Sequence, residues 1–131
     1  MKQAVILALV LASGSALAGW EKVTATADAT FSRDYSSLVK TEKGVKIREL
    51  IDFNQPQLLT LEKKYLSGKN LVEYDCKASK QRLLSFTLYS QTGGAGEVLL
   101  DQSPTTDWVN IGKGSPGEPS LKAACGKKPR I

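Results

Sequence analysis

Few residues in this chain have the type and spacing to do chemistry. There are two cysteines, Cys76 and Cys125, and no histidine anywhere. Without an imidazole there is no Ser-His-Asp or Cys-His nucleophile, no histidine general base and no histidine-bearing metal site. The one methionine is Met1, so a methionine haem ligand is also missing from the body of the chain. Glu73 and Asp75 are two apart and so fall on one face of a strand. A paired acid site needs a cleft and a raised pKa, and an open sheet face supplies neither. Gly93-Gly94-Ala95-Gly96 is followed by neither Lys-Ser/Thr nor a helical pattern, and reads as a turn rather than a phosphate cradle. Two candidates remain: the cysteines as a disulfide, and a basic cluster of Lys63, Lys64, Lys77, Lys80 and Arg82. That cluster could dock an anion or an acidic protein patch, or be no more than the solvated charges of a sheet and its hairpins. Lys64 alternates away from Lys63, so the five need not share a face.

The start of the chain sets the compartment. Lys2, the apolar run Ala4 to Ala12 and Ala16-Leu17-Ala18 ahead of Gly19 have the order of an export signal. Residues 1–18 are therefore expected to be removed, leaving 19–131 as one domain with a modest core. Outside the cytoplasm nothing keeps two thiols reduced, so Cys76 and Cys125 should be bridged. On the chain-entropy model a bridge closing a loop of this length stabilises the fold by about 4 kcal/mol. Position 19 is Gly where a lipoprotein would carry its lipid-accepting Cys, and no later run reaches the ~20 apolar residues of a membrane span. The expected product is periplasmic, surface-located or secreted, without a lipid anchor. Formal charge is +5 for the whole chain and +4 once Lys2 leaves. That favours acidic partners, and export argues against nucleic acid.

The elements that must position these residues are mostly strands, because the apolar pattern has period two. Trp20 to Thr26 and Ala29 to Arg33 are the first. In Val45 to Phe53, the residues Val45, Ile47, Ile51 and Phe53 share a face, with Glu49 as the discordant member. Pro56 is expected to end that run. Leu59 to Leu66 follows, then a turn at Ser67-Gly68-Lys69-Asn70, then a return strand from Leu71 to Ala78. Val72, Tyr74 and Cys76 point one way in it, placing Cys76 on the inner face. Arg82 to Tyr89 and Glu97 to Leu100 complete about six strands. Ser115-Pro116-Gly117-Glu118 reads as a capping box, with Pro116 at the first helical position, Pro119 still within the first turn and Gly126 at the stop. Leu121 and Cys125, four apart, share a face of that short helix. The fold class is thus α+β, an antiparallel sheet of about six strands with a C-terminal helix that a Cys76–Cys125 bridge would staple over it. Trp20 and Trp108 are assigned to packing rather than to an exposed contact site.

These residues together resemble the surface-adhesin protein E family of small exported bacterial proteins. The resemblance is carried by Trp20, Ile51-Asp52-Phe53-Asn54-Gln55-Pro56-Gln57 and Glu73-Tyr74-Asp75-Cys76. It continues through Arg82 with Leu84-Ser85, Leu88-Tyr89-Ser90, Gly94 and Gly96, Trp108, Gly114-Ser115 and Ala124-Cys125. It implies the same sheet with a disulfide-tethered helix. It also implies attachment to host extracellular or matrix proteins, with basic residues around a hairpin contributing, which by position are Lys63, Lys64 and Tyr65 and the stretch from Lys77 through Lys80 to Arg82. The expected function is non-catalytic binding of a macromolecule, with no cofactor. The alternative is a periplasmic accessory or structural protein of the envelope with no host ligand. An inhibitor of lysozymes would fit the size but is electrostatically ill matched, since lysozymes are usually basic. A sheet edge could support a dimer, but no residue pattern requires one.

Overall fold

Strands dominate the computed structural model, which describes residues 19–126; the leader read at 1–18 lies outside the described residues. β1 (Glu21–Ala25), β2 (Ala29–Lys40), β3 (Gly44–Leu58), β4 (Lys64–Asp75), β5 (Lys80–Tyr89) and β6 (Val98–Gln102) form one antiparallel sheet in which spatial order equals chain order. A two-residue strand, β7 (Val109–Asn110), pairs with the start of β5. An α-helix, α1 (Glu118–Cys125), lies against the sheet. The expected α+β class, strand count, helix and bridge are all present.

Alternation decides which face is covered. Ile47 pairs with Val72 and Val45 with Tyr74, and cross-strand partners project to the same side. These four, with Leu38, meet Ile111, Leu121 and Ala124 in the buried core. Burying each large apolar side chain there contributes roughly 1.5–3 kcal/mol. Cys76 follows the end of β4 and Cys125 closes α1, and the two are disulfide-bonded with Cα atoms 5.8 Å apart. Beside the bridge, Gly44 lets the start of β3 lie close against the end of β4, because a Cβ there would sit 2.2 Å from the Tyr74 carbonyl oxygen and 3.1 Å from the Cys76 backbone nitrogen.

The structure corrects three local readings. Ser67 to Asn70 is not a turn but the middle of β4, where Gly68 pairs with Ile51 on one side and Leu88 on the other. The true hairpin turn is Leu59 to Lys63, closed by N–H groups of Leu59 and Thr60 donating to the Lys63 carbonyl. The Thr60 hydroxyl reinforces it by accepting from the N–H groups of Glu62 and Lys63. β3 also runs on past Pro56, which falls inside the register shift between Asp52 and Gln57, where no ladder bond is asked of it. Lastly, α1 begins at Glu118 rather than Pro116. The Ser115 hydroxyl has no partner among the described residues, so the capping box does not form. Glu118 Oε1 instead accepts from the Gly114 N–H at 3.1 Å. Pro119 does sit in the first turn and Gly126 follows the last, as expected.

Candidate functional site

The basic residues singled out from the sequence do not form one patch. Lys63, Lys64 and Tyr65 lie at the β3–β4 hairpin tip, whereas Lys77, Lys80 and Arg82 lie around the β4–β5 turn at the other end of β4. At strand rise, the twelve residues of β4 separate the two groups by roughly 35 Å.

The tip is the barer of the two. Past Phe53 on β3 and before Ser67 on β4, the ladder pairs Gln57 with Tyr65 and Leu58 with Lys64, and neither pair has a third strand beside it. Tyr65 is steadied by an edge-on contact with Phe53, their ring centroids 5.5 Å apart. Lys63 pairs with Glu97 at 3.1 Å, an exposed ion pair of small energetic weight. Leu58 and Leu61 are bare, Leu61 at 94% exposure. The tip therefore presents apolar and cationic groups together.

At the other end Arg82 is held by its neighbours. Arg82 donates from Nε to Glu73 Oε1 at 2.9 Å, and its guanidinium stacks 4.5 Å from the centroid of Trp108. Glu73, assigned from alternation to an outer face, is buried by these neighbours. Asp75 accepts from the N–H groups of Lys77 and Ala78 and so shapes the turn that carries Lys77. Lys80 opens β5 opposite Asp75 and Asn110. On the same face of the sheet, Lys69 holds its ammonium 5.8 Å from the Trp20 ring and 5.3 Å from that of Tyr89. Both tryptophans thus pack against cations of this chain.

The most buried polar cluster was legible only as one misfit. Glu49, discordant on its apolar face, is paired across the ladder with Arg33, which is 1% exposed. Its Oε2 accepts from Arg33 and from the Tyr74 hydroxyl, and Arg33 also donates to Tyr74 at 3.0 Å. Burial opposes the Arg33 charge, but the facing Glu49 and then Tyr74 outweigh it and hold its pKa above the ordinary value. Burial also raises the Tyr74 pKa far above that of a free phenol, and the neighbouring Glu49 carboxylate adds to it. A cavity of about 400 Å³ opens between the start of α1 and this face of the sheet, with Glu49 and Tyr74 among its lining residues. Asn70 and Gln81 also line it; the sequence marked Asn70 only as part of a turn and did not single out Gln81.

The family model described as "Surface-adhesin protein E" matches residues 20–126, a span that includes both cysteines, the hairpin tip and the cavity. The chain belongs to the surface-adhesin protein E family. Two solved structures of Haemophilus influenzae protein E share its fold. One superposes with a TM-score of 0.62 at 11% identity, covering 83% of this chain and 85% of that one. A second crystal form gives a TM-score of 0.64 at 10% identity, covering 83% and 88%. No curated protein sequence matches the chain. At such low identity the likeness to protein E is one of architecture, and each binding surface must be argued from this chain's own residues.

Proposed function

We propose that this protein is an exported, non-catalytic, adhesin-like protein that binds a host extracellular or matrix protein through its β3–β4 hairpin tip. Family membership supports the adhesin-like class. The observation that carries the choice of surface is the tip itself, where Leu58 and Leu61 stand bare beside Lys63 and Lys64 with no third strand to cover them. An apolar centre with a charged rim is the anatomy of a protein-binding surface. The cations steer encounter with an acidic partner and make association weaken with salt.

Two measurements test this. Protease should digest the protein on intact cells of its source, whereas protection until permeabilisation would favour the periplasmic accessory role. Binding of the purified protein to immobilised collagen, fibronectin and laminin should then fall more for the double reversal Lys63→Glu with Lys64→Glu than for reversal of Lys127 and Lys128, which lie outside the described residues. Equal salt-dependent losses in both variants would remove the hairpin tip from the interface.

A further inference from the structure

The cavity between the start of α1 and the sheet is not used by this binding role, and its chemistry goes beyond it. Its volume of about 400 Å³ falls in the range of small-molecule sites. Phe31, Ile51, Val72 and Leu83 give it apolar walls. Its charged groups are already matched within the protein: Glu49 by Arg33 and the Tyr74 hydroxyl, Arg82 by Glu73. An ion entering here would leave its water and meet no free opposite charge, which is costly. Asn70 and Gln81 also line the space, and their side-chain amides have no hydrogen-bond partner among the described residues. An amide both donates and accepts, so either one suits a neutral polar head; Gln81 sits opposite Tyr74, four residues along β4 from Asn70, and one head meets one of the two.

We propose that this cavity binds an uncharged amphipathic small molecule, its apolar body against the sheet and its single neutral polar group hydrogen-bonded to Asn70 or Gln81. Val109 lines the mouth and is 56% exposed, so a large residue there can block the space without repacking the core.

A matched pair of fluorescent probes tests the proposal on the purified, oxidised protein. N-phenyl-1-naphthylamine is neutral and carries one N–H donor; 1-anilinonaphthalene-8-sulfonate has the same ring system plus a sulfonate. The neutral dye should bind saturably at one site per chain, and the sulfonate at least about tenfold more weakly. Val109→Trp should abolish binding of the neutral dye while leaving the circular dichroism spectrum unchanged, and Val109→Phe serves if the larger residue prevents folding. Leu61→Ser, at the distant hairpin tip, should leave dye binding unchanged. No saturable binding, equal binding of the two dyes, retention in a folded Val109 variant, or loss in Leu61→Ser would each overturn the assignment.

Discussion

The two ends of the sheet solve opposite problems. At the stapled end, α1 covers Val45, Ile47, Val72 and Tyr74, the disulfide ties Cys125 to Cys76, and Arg33 and Glu49 are shut in beside them. At the hairpin end, two strands run past their neighbours and leave leucines in water. Stability is concentrated at the stapled end, and the protein-contact surface where little stability is at stake. The fold can therefore hold while the tip changes.

Substitutions at the two ends should break or sharpen that contrast. The largest loss is expected from Arg33→Met, which strands the Glu49 carboxylate and should cost about 3–5 kcal/mol in urea unfolding. Adding Glu49→Leu should recover most of it, because removing both charges removes the uncompensated one. Cys125→Ser should cost about 4 kcal/mol by the same measurement, with the unfolding slope read alongside to detect a changed unfolded state.

Tyr74→Phe should cost about 1–3 kcal/mol by depriving Glu49 and Arg33 of a buried partner. It should also change the alkaline behaviour. Because burial raises the Tyr74 pKa above its ordinary 10.0, the stability contributed by keeping it neutral is complete below pH 10. Above that the unfolded chain ionises first, and stability falls with a slope approaching about 1.4 kcal/mol per pH unit for this one proton. The Phe variant should lack that component of the decline, which unfolding curves collected across alkaline pH would show. The smallest effect belongs to the tip: Leu61→Ser should move stability by less than about 0.5 kcal/mol while weakening partner binding. A large stability loss there would mean the two ends are not independent.

Much of the fold was legible because the strands that face α1 alternate cleanly, and because the two cysteines fall on faces that meet. The misreadings have physical causes. Ser67-Gly68-Lys69-Asn70 has the composition of a turn, yet these residues answer to tertiary demands. Ser67 is buried and takes the Gly94 N–H while donating to the Gln91 carbonyl, and Gly68 passes so close to Leu88 that an added Cβ would lie 3.3 Å from it. Lys69 reaches across to two aromatic rings. Glu49 looked like noise in an apolar face because its partner, Arg33, lies on another strand, and only register brings them together. The basic cluster looked continuous because the sequence between Tyr65 and Lys77 was read as a hairpin, when a single strand of twelve residues carries the two groups apart.

Strand order along the sheet is the same as order along the chain. Each main strand after β1 can therefore dock on the one made just before it, so a chain threading out through a membrane pore from its amino end could assemble the sheet as it emerges. Cys76 would arrive early and wait as an unpaired thiol while β5, β6 and the approach to α1 are still being delivered. The cross-link can close only when Cys125 appears, which makes oxidation a seal on a finished sheet rather than a guide to its construction.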